Sequence, residues 1–176
     1  MNKRFVSGRS VLRLLAAVGL SVAASMATLA PAGAATTATV GQFQTLAAGS
    51  SMGLSIRGVA VLVRSDEGTT AYVRVVGLLP GVVYGSHVHN QPCQSNEGGG
   101  HYRDDPTGPG FPPNEIWLSS SNDPRAGITA GRRGSGIAQG SASWVARPEA
   151  QSIVIHAIPP GGTPAGGPKI ACADLR

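Results

Sequence analysis

The chain has 176 residues, of which 41% are hydrophobic and 13% charged, with 14 basic against nine acidic side chains. Four of the basic residues and none of the acidic ones fall within residues 1–34. The remainder carries ten basic and nine acidic side chains, and offers no electrostatic case for binding nucleic acid. The two cysteines, Cys93 and Cys172, are too far apart for a CxxC redox or zinc motif.

The chain opens on Lys3, Arg4, Arg9 and Arg13 with no acid among them. An apolar run of Leu, Ala, Val and Gly fills residues 14–30, and Ala32-Gly33-Ala34 follows. A positive start, an apolar middle and small residues at the end predict a secretory signal, cleaved after Ala34. The apolar run is short for a membrane anchor, and no basic stop-transfer cluster follows it. Residues 35–176 then suit one domain with a core of its own. In an exported chain Cys93 and Cys172 most simply pair as one disulfide.

Beyond the leader the pattern is strands and turns. Val and Leu over residues 57–64, turn chemistry at Asp66-Glu67-Gly68 and a second strand over 69–76 predict a hairpin. Leu79-Pro80-Gly81 marks a turn, and residues 84–89 form a short strand carrying histidines. Residues 92–131, rich in Gly and Pro, predict one long loop. Strands follow over 134–146, 152–158 and 169–173, with a second Gly/Pro loop over 159–168. No stretch shows a sustained helical period, so the fold class is all-β, a sandwich or barrel.

All four histidines lie in this domain. His87 and His89 sit two apart in a strand and share a face. His101 follows three glycines, and His156 ends the apolar run that starts at Ser152. Four imidazoles on such supports suit copper, zinc, iron or nickel, and not magnesium or calcium.

The segments Gly77-Leu78-Leu79-Pro80-Gly81 and Gly85-Ser86-His87-Val88-His89 resemble the GLxPG and HVH motifs of the copper/zinc superoxide dismutases. Gly99-Gly100-His101-Tyr102 resembles the segment with that family's metal-bridging histidine. Ser152-Ile153-Val154-Ile155-His156 resembles its strand ending in the last copper histidine. Lys169-Ile170-Ala171-Cys172 resembles its RLAC motif, and Cys93 falls at its first disulfide cysteine. The five pieces occur in family order over roughly residues 40–175.

The resemblance implies a Greek-key β-sandwich or barrel of about eight antiparallel strands, with two long loops. It implies copper held by His87, His89, His101 and His156, with superoxide as substrate. The family's zinc site needs two further histidines, which the chain lacks, so the pattern is that of a zinc-less, copper-only member. An acidic side chain would then orient His101: Glu115 first, with Asp104 or Asp105 behind it. Lys169 stands where the family has an arginine that attracts the anion; it keeps the charge and loses the planar fork. The residues expected to act in the reaction are therefore His101, Lys169 and Glu115. The chain is expected to be exported, either extracellular or in a bacterial cell envelope, with no membrane insertion after cleavage. The alternative is an exported copper-binding or buffering module on the same scaffold, without dismutase activity.

Overall fold

The computed structural model describes residues 35–158 and 162–176. The expected leader and the start of the second loop, residues 159–161, lie outside these. Eight strands carry the fold: β1 Thr37–Thr45, β2 Arg57–Ser65, β3 Gly68–Val76, β4 Val83–His89, β5 Ile128–Thr129, β6 Gly136–Ala142, β7 Ser152–Ala157 and β8 Lys169–Asp174. Among the described residues, helix is confined to one short turn, α1 Ala47–Ser51, and a 3-10 turn at Asn96–Gly98.

Every neighbouring pair is antiparallel, in the order β5-β4-β7-β8-β1-β2-β3-β6. The two ends of that order approach each other: a Cβ on Gly136 of β6 would lie 2.6 Å from Ile128 Cγ2 of β5. The sheet is therefore a nearly closed barrel, as the all-β reading expects.

The sequence reading named neither the two-residue β5, which falls in the expected long loop, nor β1. The residues of β1 alternate between exposed and half-buried, and only Gly41 and Phe43 are buried, so it lacks the Val/Ile density of a core strand. Its structural task is to link two halves. Residues 37–42 pair with β2 and residues 43–45 pair with β8. Gly41 sits at the handover, where a side chain would run into the backbone carbonyl of Asp174. The hairpin β2–β3 forms as expected, with Ser65 opposite Gly68 across Asp66 and Glu67.

The strand expected over 134–146 ends at Ala142. The chain leaves the ladder there so that Trp144 can pack against the Tyr102 ring and donate its indole N–H to Pro113 O at 2.9 Å. The long loop is not structureless either. Beyond β5, its residues 100–102 and 116–118 run along the free edge of β4, with Tyr102 N donating to Val88 O and Val88 N to Ile116 O.

β4 and β7 are covered on both faces. Tyr84, Val88, Ile153 and Ile155 point into the barrel core with Leu62, Val75 and Ile170. On the outer face of β7, Val154 packs against the Cys93–Cys172 disulfide, whose Cα atoms are 5.8 Å apart. That bond ties the loop after β4 to β8. The period of two therefore separates core from site: alternate residues of the same two strands fill the barrel or face the loops.

Candidate metal centre

His87 and His89 project from the outer face of β4, on either side of the inward Val88. The loop strand segments add two side chains to that face, because His89 is bridged to His101 and His87 to Trp117. From β7, His156 is paired opposite Gly85, which carries no side chain, and leans toward His87. Ring centroids lie 4.2 Å apart for His87–His101, 5.0 Å for His87–His156 and 5.3 Å for His89–His156. One nitrogen from each of the four histidines lies within 4.8 Å of the others.

Hydrogen bonds settle which nitrogen faces inward for three of them. His89 Nδ1 donates to Gly99 O at 3.2 Å, His156 Nδ1 to Gly167 O at 3.0 Å, and His101 Nδ1 to Glu115 Oε2 at 2.7 Å. Each of these three rings therefore presents Nε2. His89 Nε2 and His156 Nε2 are 3.2 Å apart. With both protons on Nδ1, two lone pairs face each other at that distance, which is unfavourable unless a cation lies between them. Two nitrogens each about 2.0–2.1 Å from one ion at a near-tetrahedral angle would be separated by about 3.3 Å.

His87 is fully buried, and neither of its ring nitrogens has a hydrogen-bond partner. An unpaired buried imidazole is costly. A metal ion relieves that cost by taking one lone pair.

The electrostatics agree with this. Burial, and then the neighbouring imidazoles, hold His87 and His89 well below the usual histidine range. Burial brings His156 down to about 4. All three are neutral at physiological pH, the state a metal binds.

The buried Glu115 carboxylate is the hub beside the cluster. Oε2 accepts from His101 Nδ1 and, at 2.6 Å, from Trp117 Nε1; Oε1 accepts from Arg103 Nε at 3.0 Å. Burial alone would push its pKa up, but the His101, Trp117 and Arg103 contacts outweigh it and hold the group below its ordinary value. No family model matches the chain, and no curated protein matches it.

Of the three acids weighed beside His101, the structure brings Glu115 to it. Asp104 pairs with Arg147 at 3.2 Å, and the Asp105 carboxylate accepts from Thr107 N and Oγ1. Lys169 lies opposite His156, across a register shift in the β7–β8 ladder. Its ammonium donates to Asn96 O at 2.8 Å and Gly99 O at 2.6 Å. Gly99 O thus receives both Lys169 and His89.

Among the described residues, the other ligand group is Cys93, Cys172 and Asp174, where the two sulfurs are joined to each other. Arg103 and Trp117 are the site residues that sequence reasoning missed. No local signal marked them: both sit in the Gly/Pro-rich loop, and the β4 edge that sets Trp117 beside His87 is not visible in the sequence. No helix among the described residues is long and apolar enough to cross a membrane.

Proposed function

We propose that the chain is an exported, copper-dependent superoxide dismutase that works without zinc. The observation that carries this is His101: it faces three buried histidines with Nε2 while a buried carboxylate, rather than a second metal, holds its Nδ1. His87, His89, His101 and His156 would hold the ion, a donor set suited to copper among the imidazole-binding metals. Copper, when bound, supplies a one-electron cycle in which one superoxide is oxidised to dioxygen and a second is reduced, with two protons, to hydrogen peroxide.

His87, His89 and His156 are buried by the β4 and β7 frame and act as fixed donors. His101 differs, since its side chain is 20% exposed and borders a cleft of about 550 Å³. The imidazole can therefore take up a proton from solvent and pass it to the departing product, a relay task that imidazole chemistry suits. Glu115 keeps His101 in the Nδ1–H tautomer, so that Nε2 remains the working atom. The Lys169 ammonium, two of whose protons rest on carbonyls, adds positive charge beside His89 and His156 and favours approach of an anion.

Reconstitution of the protein and of His156→Ala with copper tests this. The parent should remove superoxide catalytically, and the variant should lose most of that rate. Tight copper binding with no removal of superoxide would instead favour a copper-carrying or buffering module. The near-complete burial of three of the four donors and the engaged Lys169 ammonium suit that second reading.

A further inference from the structure

Glu115 is a fully buried carboxylate with a single permanently charged neighbour. Oε2 is occupied by His101 and Trp117, which leaves Oε1 to Arg103. Trp117 donates as a neutral ring, whereas the Arg103 guanidinium is always charged. A planar carboxylate gripped at both oxygens cannot turn about its own axis, so Oε2 stays aimed at His101 Nδ1.

Arg103 is itself held in place. Its Nη1 donates to Gly108 O at 3.4 Å, and its backbone carbonyl accepts from Arg147 Nη2 at 3.0 Å. Gly110 leaves room for the guanidinium, since a Cβ there would lie 2.6 Å from Arg103 Nη2. Unlike Glu115, the Arg103 side chain is 40% exposed, and it lines the same cleft as His101.

We propose that Arg103 is a positioning residue that acts on His101 through Glu115, supplying beside the carboxylate the positive charge that a second metal ion would otherwise supply. This rests on the functional reading above for what His101 does, and on the hydrogen-bond chain alone for how Arg103 reaches it. Arg103 thus completes a mononuclear site: guanidinium, carboxylate and imidazole stand in series, with only the last facing the metal. Because the guanidinium borders an open cleft, a small cation added from solution can take its place once the side chain is removed.

The test follows the His101 ring by nitrogen–proton NMR in the metal-free protein, for the parent, Arg103→Met, Arg103→Lys, Glu115→Gln and the double variant Arg103→Met/Glu115→Gln. The parent should show His101 as a single Nδ1–H tautomer. Arg103→Met should show a mixture of tautomers, added methylguanidinium should restore the parent signal, and Arg103→Lys should restore it in part. In the Glu115→Gln background, loss of Arg103 should change nothing further. With copper loaded, Arg103→Met should remove superoxide about tenfold more slowly than the parent.

If Arg103→Met lowers the melting temperature and leaves the His101 tautomer as in the parent, Arg103 is only a structural ion pair and the proposal fails. It fails equally if the effect of Arg103→Met persists in the Glu115→Gln background. Should Arg103→Met not fold, Arg103→Gln decides: a parent-like tautomer insensitive to methylguanidinium overturns the proposal, and a mixed one that methylguanidinium sharpens supports it. Failure of copper-loaded parent protein to remove superoxide overturns the functional reading instead. The tautomer, read without copper, still decides whether Arg103 acts on His101.

Discussion

His87 has no exposed surface and no partner for either ring nitrogen, in a protein whose other three histidines each anchor one nitrogen. That asymmetry makes a specific prediction. Replacing a buried, unsatisfied polar ring by an apolar side chain removes a penalty of about 1–3 kcal/mol. His87→Leu should therefore leave the metal-free protein at least as stable as the parent by urea unfolding, while its copper affinity falls sharply.

The low pKa values of His87, His89 and His156 set a pH dependence for the same metal-free protein. In the unfolded chain these groups take up protons as pH falls through about 6.5, and in the fold they resist until lower pH. The unfolded state thus binds more protons in this window, and stability falls as pH drops. With its folded value at about 4, His156 alone accounts for about 3 kcal/mol across that span. Urea midpoints should be lower at pH 5 than at pH 7.5, and an unchanged midpoint would contradict the buried neutral cluster. The histidine cluster was legible in the sequence because the chain has four histidines and His87 and His89 share a strand face, whereas Glu115 was reached through the family resemblance, as the first of three acids. Arg103 and Trp117 were not legible, because an arginine and a tryptophan in a Gly/Pro-rich loop carry no sign of the β4 edge that aligns them.

At the scale of elements, β7 was plain and β1 was not, and both outcomes have physical causes. Ser152–Ala157 is buried on both faces, so its Ile-Val-Ile run stands out. Thr37–Thr45 lies half on the surface and changes partner midway, so its apolar content is low and its pattern interrupted. Gly41→Ala tests the handover. Its new Cβ would meet the Asp174 backbone, which lies next to the disulfide strand segment, and overpacking of this kind costs about 1–3 kcal/mol. Ile155→Ala, fully buried in the barrel on the strand that supports His156, should cost about 2–5 kcal/mol by denaturant unfolding.

At the scale of the molecule, the all-β class followed from the even run of short strands between Gly and Pro turns, and the structure shows it. The crossing order of the strands was less legible, since pairs such as β3–β6 and β1–β8 join segments far apart in sequence that no local pattern marks. The Cys93–Cys172 bond spans a separation of 79 residues. Its loss should destabilise the fold by about 4 kcal/mol on the loop-entropy model. It should also slacken the turn whose Gly99 carbonyl orients His89. The paired change Cys93→Ser/Cys172→Ser should therefore weaken copper binding as well as lower the melting temperature.

The central claim is a single copper site that needs no zinc. The most direct measurement is metal content together with superoxide removal on protein reconstituted with copper alone and with copper plus zinc. The proposed function predicts about one copper per chain, a catalytic rate with copper alone, and no change in that rate or in the metal count when zinc is added. A second ion bound beside His101 and required for activity, or copper bound with no removal of superoxide, would contradict it.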